Sequence, residues 1–316
     1  MSYAQFGTIA ATDFNALVGG NPVTSSGTLN AVWATGGTTA GYGQTALANV
    51  AAGATVAAPA QWTSLVSNTA SAASHQGTSI TSVTAPATGG TITYLSAIPT
   101  NLTSIYTGRL NAATQGSTTA NSVAYPSTWS TAITFTHTVT FASGDAARYF
   151  FNAGGQLKVT CSHANTTAGI NLLLNNLASN VGTVVMSSPT SGAVTIAATS
   201  YNGITKIGGG GTAPTIATNS GYYARTTSNA TIFTQTASTG PSGYLGTFIS
   251  MVAKSNGTQG SNGDAGSVIT IYTIWDEVPN GLTAGTGSTT TVTAQAPETT
   301  YLGNTWGTIS ITGTVA

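Results

Sequence analysis

Charged side chains are almost absent from this sequence. Its 316 residues include six Lys or Arg and six Asp or Glu, so 4% are charged and the formal net charge is zero, whereas ordinary soluble domains carry about 25%. So few basic side chains argue against nucleic acid and anionic membrane surfaces as partners. Because the helix formers Glu and Lys are scarce while 39 Gly are present, a mainly helical protein is also disfavoured.

Cysteine and long apolar runs are scarce as well. Cys161 is the one cysteine, which excludes an intrachain disulfide and a zinc site built from several cysteines. Residues 1–20 have no basic leader followed by an apolar stretch, and no run of about 18 apolar residues occurs, so we expect neither a signal peptide nor membrane insertion. The chain is nevertheless 41% hydrophobic, which predicts two regions that each bury a core.

A surface with so little charge needs an explanation, because free monomers commonly carry about 25–35% charged residues on their surface. The centres of protein interfaces are depleted in charge. One interpretation is that copies of the chain or other proteins cover much of the surface. The other is a passive, hydroxyl-rich exterior that resists nonspecific adhesion, and both interpretations are structural rather than catalytic.

The N-terminal part contains two similar segments, residues 7–18 and residues 53–66. Each has a short extended stretch and then a helix start, with an aromatic residue three and four positions before a Leu-Val pair. This spacing places the three side chains on one helical face. Asp13 is the only charged residue before Arg109. The helices predicted in this part cover 13–18, 59–75 and 99–113.

After Tyr125 the hydrophobic period becomes two, which is typical of strands with one apolar face. The segments 133–141 and 157–163 are predicted to form an antiparallel pair, joined through a turn at Ser143-Gly144-Asp145. An amphipathic helix is predicted around 170–177, beginning at Thr166 or Thr167 and closing near Gly182. Further strands are predicted at 184–186, 194–198, 231–235, 247–253, 268–275 and 308–315.

These patterns predict a mainly β protein. Residues 125–316 are expected to form an antiparallel β-sandwich or jelly-roll-like domain with one inserted helix. Residues 1–124 are expected to form a small attachment or assembly region of short helices and extended segments. The segment 268–275 is apolar on both faces, which favours a place in the middle of a sheet or at a subunit interface.

A set of residues in the first half of the chain has a distinctive spacing. It comprises Tyr42-Gly43-Gln44-Thr45, Gly53, Trp62, Leu65, His75-Gln76-Gly77 and the segment Ala147-Arg148-Tyr149-Phe150-Phe151-Asn152-Ala153-Gly154-Gly155-Gln156. This spacing resembles a family of virion structural proteins of tailed bacteriophages, notably phages of marine bacteria and cyanobacteria. The resemblance covers the first half of the chain, and residues 148–155 are its most specific element. It implies a protein of the tail, neck or an attached appendage, with no enzymatic site to carry over.

The same segment is the candidate docking site. Arg148 and Asp145 form a charge pair beside three consecutive aromatic residues, and Arg148 could bind a neighbouring subunit through a bidentate contact. The alternative is an internal corner that locks the sandwich, followed by a tight turn at Gly154-Gly155. The docking candidates are Trp62, Leu65, Arg148, Tyr149, Phe150, Phe151 and Asn152.

Catalytic and metal-binding patterns are weak. Asp276-Glu277 is the only acidic pair, and neighbours on a strand point to opposite faces, so they cannot flank one bond as glycosidase carboxylates do. His75, His137 and His163 lack the spacing of a metal site, and Cys161 is expected to be buried and inert. A calcium loop at 262–264 would hold one carboxylate and bind weakly. We therefore expect no enzyme activity, no cofactor and no metal.

Two classes of function remain. The first is a structural virion component, assembled in the host bacterial cytoplasm, whose partners are its own copies and other tail or neck proteins. A trimer is favoured by the usual symmetry of phage appendages. The second is a receptor- or carbohydrate-binding tail module that recognises a host surface glycan, or a capsid decoration protein. Its candidate stacking residues are Tyr222, Tyr223, Tyr244 and Trp306.

Overall fold

The computed structural model describes residues 11–20, 26–37, 39–51, 59–87, 97–258, 266–278 and 281–316. Within these ranges four helices precede the first strand and two more interrupt the strands that follow. The extended stretches predicted at the start of the two similar segments, and the candidate calcium loop, lie outside the described residues. The helices are α1 (Ala11–Val18), α2 (Leu29–Val32), α3 (Pro59–Gln76), α4 (Ala97–Thr107), α5 (Gly144–Asn152) and α6 (Ile170–Val181).

The N-terminal helices pack through the apolar faces that their spacing predicts. Phe14 of α1 and Trp62 of α3 meet edge to face with ring centroids 5.3 Å apart. Leu17 and Leu65 are buried beside them, so the equivalent residues of the two similar segments share one core. Helix α4 ends at Thr107, before the predicted residue 113. Gly108 follows it, and a Cβ at this position would lie 2.9 Å from Gln76 Oε1 at the end of α3.

Asparagine side chains bind the backbone of the extended segments in this region. Val50 N–H donates to Asn15 Oδ1 at 2.7 Å, while Asn15 Nδ2 donates to the Val50 carbonyl at 2.8 Å. Each such pair of hydrogen bonds satisfies both the N–H and the C=O of a residue that has no strand partner. These helical asparagines therefore supply the hydrogen bonds that a neighbouring strand supplies in a sheet. The same arrangement joins Asn30 to Leu47 and Asn101 to Thr81.

Two antiparallel sheets form the larger part of the molecule and pack as a sandwich, which confirms the predicted fold class. The first sheet has the order β1-β12-β3-β4-β7 and the second has the order β13-β2-β11-β10-β9-β8, while β5 and β6 form a small hairpin. The strands are β1 (Gln115–Ala124), β2 (Ala132–Thr140), β3 (Gln156–His163), β4 (Thr183–Met186), β5 (Val194–Ile196), β6 (Thr199–Tyr201), β7 (Ile204–Ile207), β8 (Thr215–Ile216), β9 (Ala230–Thr236), β10 (Phe248–Ser255), β11 (Val268–Asp276), β12 (Ser288–Pro297) and β13 (Ser310–Val315).

The predicted pairing of the strands at 133–141 and 157–163 is wrong. Strand β2 lies in the six-stranded sheet and β3 in the five-stranded sheet, so the two are on opposite sides of the sandwich. The segment that was predicted to be a turn begins helix α5, because the Ser143 hydroxyl accepts the Ala146 N–H at 3.0 Å and caps the helix. Helix α5 then carries the chain from one sheet to the other.

Strand β12 was not predicted, although it lies between β1 and β3 in the sheet. Its alternating buried positions are Ser288, Thr290, Val292 and Ala294, so the apolar alternation is limited to two residues. Strand β11 matches its prediction, since it lies between β2 and β10. Strand β1 belongs to the five-stranded sheet, which therefore begins on the N-terminal side of the boundary expected at residue 124.

The two long sides of the sandwich differ. On one side the inserted helix α6 packs against β3 of the first sheet and against β9 and β10 of the second. On the other side β1 and β13 approach each other closely, and a Cβ at Gly313 would lie 2.4 Å from Val123 Cγ2. No helix within the described ranges combines the length and the apolar character needed to cross a membrane.

Candidate functional site

The predicted docking segment lies where the N-terminal helices meet the sandwich. We call this region the junction; it comprises residues 35–45, the end of α3, helix α5 and residues 298–305. Arg148 of α5 is its centre and is 0% exposed. Its Nη1 donates to the carbonyls of Thr35 at 2.8 Å and Ala40 at 2.7 Å, and its Nη2 donates to Asp145 Oδ1 at 3.0 Å. The guanidinium thus connects the N-terminal segment to the sandwich.

The residues beside Arg148 bind the same N-terminal segment. Asn152 Nδ2 donates to the Gly41 carbonyl at 3.0 Å, and the Tyr149 ring lies against Gly43. Gly43 has a φ of +71°, and a Cβ there would come within 2.4 Å of the Tyr149 ring. Glycine is therefore required at this position by both backbone conformation and space.

Phe150 and Phe151 point away from the N-terminal segment into an aromatic cluster. Both are fully buried, and Phe141 lies 5.2 Å from Phe150 between ring centroids. Phe151 stacks on Tyr222 with centroids 4.2 Å apart. Gly154 then adopts a φ of +83°, as the predicted turn into β3 requires.

A second set of junction contacts joins α3 to the chain that follows β12. His75 Nδ1 lies 3.0 Å from Glu298 Oε1, and both side chains are buried. The hydrogen bond from His75 holds the pKa of Glu298 well below its usual range, at about 2. Gln76 Nε2 donates to the Tyr42 hydroxyl at 2.9 Å, and burial raises the pKa of that hydroxyl.

Gln44 and Thr305 complete the junction. Gln44 Nε2 donates to the Gly303 carbonyl at 2.9 Å, and the Gly303 N–H donates to Gln44 Oε1 at 3.0 Å. The Thr305 hydroxyl donates to the Tyr42 carbonyl. The junction thus joins residues 42–44 to residues 303–305, which lie far away in the sequence.

The docking candidates are therefore mostly internal in the single chain. Trp62 and Leu65 lie in the helical core, and the α5 candidates are buried except for Tyr149, which is half-buried. A neighbouring subunit could bind Arg148 only after the contacts with Thr35 and Ala40 had opened. Binding of a neighbouring subunit to these residues stays a prediction.

The four candidate stacking residues do not form a common surface. Tyr222 is 0% exposed and Trp306 is 2% exposed, so neither presents a ring to a ligand. Tyr223 is half-buried, and its hydroxyl donates to Asn152 Oδ1 at 2.5 Å. Tyr244 is half-buried and lies in the short turn Ser242–Tyr244 that precedes β10. A groove of aromatic rings for a glycan is therefore not built from these residues.

A chain of hydrogen bonds that the sequence did not suggest lies at one end of the sandwich. The Trp129 indole N–H donates to Ser288 Oγ at 3.2 Å, and Ser288 Oγ lies 3.0 Å from His163 Nδ1. His163 Nε2 lies 3.2 Å from Asn171 Oδ1, which also accepts the Gly285 N–H. Because Asn171 Oδ1 is an acceptor, His163 Nε2 carries the proton of the neutral imidazole, and Nδ1 accepts the Ser288 hydroxyl proton.

This arrangement has the order of a nucleophile, a base and an orienting amide, yet it is closed. Ser288 is 0% exposed and His163 is 2% exposed, so no substrate can reach the hydroxyl. Burial lowers the pKa of His163, in agreement with a neutral ring. The network connects β3, β12 and α6. Because Ser288 is far from His163 and Asn171 in the sequence, no local motif could have predicted this network.

The remaining titratable candidates are isolated. Asp276 is half-buried at the end of β11, while Glu277 is buried and its Oε1 accepts the Leu282 N–H at 2.9 Å. Burial raises the pKa of both carboxyls. His137 faces the sandwich interior, where burial lowers its pKa. Among the described residues, no group of three or more His, Cys, Asp or Glu is placed to hold a metal ion.

One cavity of about 350 Å³ lies between α3, the segment 77–83 and α4. Its lining includes Thr69, Ala73, Ile80 and Asn101. Hydroxyl, amide and apolar groups are present there, but no charged side chain and no pair of acid and base. The lining of this cavity therefore indicates no catalytic group and no ionic ligand.

Comparison of this chain with protein-family models, curated proteins and solved structures gives no match.

Proposed function

We propose that this protein is a non-enzymatic structural component of a tailed-bacteriophage virion, in the tail, the neck or a fibre-like appendage. It acts by self-assembly and by docking to neighbouring virion proteins. The observation that carries the proposal is the junction. The segments that resemble phage virion proteins are distant in sequence, and they meet there to bind the helices to the sandwich.

The junction supports a structural role because its polar groups satisfy one another. Arg148 binds backbone carbonyls, and Gln44 pairs with both polar groups of Gly303. A catalytic site needs polar groups that remain free for a substrate. These residues instead hold two parts of the chain in one arrangement, as a component of a large particle requires.

The distribution of charge supports assembly. Four of the charged side chains, Arg148, Arg225, Glu277 and Glu298, are buried. The remaining surface therefore stays as poor in charge as the whole sequence, which is 4% charged. Such a surface resembles the interior of a protein interface more than the exterior of a free monomer.

The virion assignment is tested on particles purified from a lysate of phage that encode this chain. Mass spectrometry should find the chain at a fixed copy number per particle, and gold-labelled antibody should decorate the tail, the neck or an appendage. Labelling of the capsid alone would favour a decoration protein. Absence of the chain from intact particles would refute a structural role in the virion.

Self-assembly is tested on the purified protein by sedimentation at low salt and at about 1 M salt. Because so few charges are present to be screened, the homo-oligomer should keep its mass at both salt concentrations. Trimer is the stoichiometry that phage appendages favour. A monomer at both salt concentrations, or an oligomer that dissociates as salt rises, would contradict the proposed mode of assembly.

A further inference from the structure

Strand β1 is the longest free sheet edge among the described strands. Its residues Gln115–Ala124 end the five-stranded sheet, and none of them is charged. The other edges are β7, which is short and carries Lys206, the two-residue β8, and the six-residue β13. Natural proteins block exposed edges with charge, proline, bulges or short length. Apart from a shift in register between Gln115 and Thr118, β1 has none of these protections.

The pairing of β1 with β12 shows which backbone groups are free. The Tyr125 N–H donates to the Ser288 carbonyl at 2.9 Å, and these two residues are directly opposite each other. In an antiparallel ladder, such bonded pairs recur at every second residue. The odd residues from Thr119 to Val123 therefore bind β12, whereas Thr118, Ala120, Ser122 and Ala124 direct their N–H and C=O groups outward.

Nothing else in the described structure binds these outward groups. No backbone hydrogen bond beyond the β12 ladder reaches residues 118–124. The side chains of Thr118, Ala120, Ser122 and Ala124 are exposed and small. A second strand could approach without meeting a bulky or charged group.

We propose that two copies of this chain pair through their β1 edges as antiparallel strands across a two-fold axis. The four residues with outward groups are symmetric about Asn121, so a second β1 satisfies all of them at once. Thr118 of one copy then lies opposite Ala124 of the other, and Ala120 lies opposite Ser122. A two-fold contact of this kind uses the same patch on both subunits. The inference rests on the proposed function, because it names a surface for self-assembly. A two-fold contact by itself closes a dimer, so this inference predicts a dimer in place of the trimer that appendage symmetry favours.

The composition of β1 supports a second copy as the occupant. None of its residues is charged, so pairing two identical strands brings no like charges together. The side chains that lie opposite each other in the two-fold arrangement, those of Thr118, Ala120, Ser122 and Ala124, are small and exposed. Asn121 lies opposite Asn121 of the other copy as a non-hydrogen-bonded pair. Its Oδ1 is buried against Gly313 within its own chain and takes no part in the contact.

The test measures association and hydrogen exchange of the full chain. In sedimentation, the Ala120→Pro variant should weaken dimerisation at least about 100-fold, because it deletes an outward N–H from each copy. The matched control is Val315→Pro, which deletes an outward N–H from the β13 edge and should leave association unchanged. Circular dichroism and thermal unfolding of both variants show whether the fold is kept.

Hydrogen exchange of the wild-type protein provides a measurement that needs no variant. As protein concentration rises, amide exchange at Thr118, Ala120 and Ser122 should slow by roughly tenfold or more, while Thr119 and Asn121 stay protected at all concentrations. An oligomer whose mass Ala120→Pro leaves intact, with no alternating protection in β1, would refute the edge contact while leaving self-assembly in place. A wild-type protein that is monomeric at every concentration would refute both.

Discussion

The Arg148→Ala substitution removes the side chain that joins the N-terminal segment to the sandwich. Arg148 is fully buried, and its two short bonds to the Thr35 and Ala40 carbonyls are charge-assisted. Each such bond contributes about 1.5–3 kcal/mol. The Asp145 side chain is 38% exposed, so water replaces most of the hydrogen bonds that its carboxylate loses with Arg148. The variant should therefore lose about 3–5 kcal/mol of unfolding free energy.

For a chain of this length, that loss corresponds to a decrease in Tm of about 5–8 °C. Denaturant titration and calorimetry measure the change. The Arg148→Lys variant keeps the charge but cannot bond both carbonyls and Asp145 together, so its stability should be intermediate. Limited proteolysis should show earlier cleavage within residues 35–45 in both variants.

Arg109→Ala is the matched control, because Arg109 also donates to a carbonyl of this segment, that of Thr39, but is half-buried. Solvent can replace its contacts, and the loss should be about 1 kcal/mol or less. Unchanged stability of Arg148→Ala together with lost assembly would refute the internal role and favour docking of Arg148 to a neighbouring subunit. Lost stability with normal assembly of the folded fraction would refute the docking interpretation.

Three further predictions concern buried polar groups. Because burial lowers the pKa of His137 and His163 below the ordinary value of 6.5, the unfolded chain binds more protons at mildly acidic pH, and unfolding free energy should fall as pH drops below about 6.5. Denaturant titrations at several pH values measure this slope, which His163→Gln should reduce. The Glu298 pKa is about 2 in the fold against an ordinary 4.5, so its carboxylate contributes about 3 kcal/mol above pH 4.5 that is lost as pH falls toward 2. Glu298→Gln should flatten stability in that range, and an unchanged profile would contradict a stabilising hydrogen bond between His75 and Glu298. Asn101→Leu leaves both polar groups of Thr81 without their partner and should cost about 2 kcal/mol, with faster amide exchange at Thr81.

Much of the sandwich could be predicted from alternation alone. Strands β2 and β11 alternate buried and half-buried residues, and a strand with one apolar face has few other stable structures. The apolar spacing of α6 predicted its buried face, including Leu173 and Leu177. Local patterns of this kind report which face of an element is buried, and they do so wherever the buried side chains are apolar.

The pattern fails where polar residues are buried. Strand β12 lies in the sheet with Ser288 and Thr290 facing inward, and their hydroxyls are satisfied by Trp129, His163 and Trp275. Each of these partners is distant in sequence. No local signal distinguishes such a strand from a threonine-rich loop.

By itself, the sequence determined the fold class, three of the four described N-terminal helices and the near-absence of surface charge, because each follows from composition or from a local period. Tertiary structure decided that Ser143 begins a helix that crosses between the sheets. It also decided that Arg148 binds the carbonyls of Thr35 and Ala40 and that no other described strand pairs with the outer edge of β1. Pairing partners and the destinations of buried donors depend on which distant segments meet, and no local spacing encodes that.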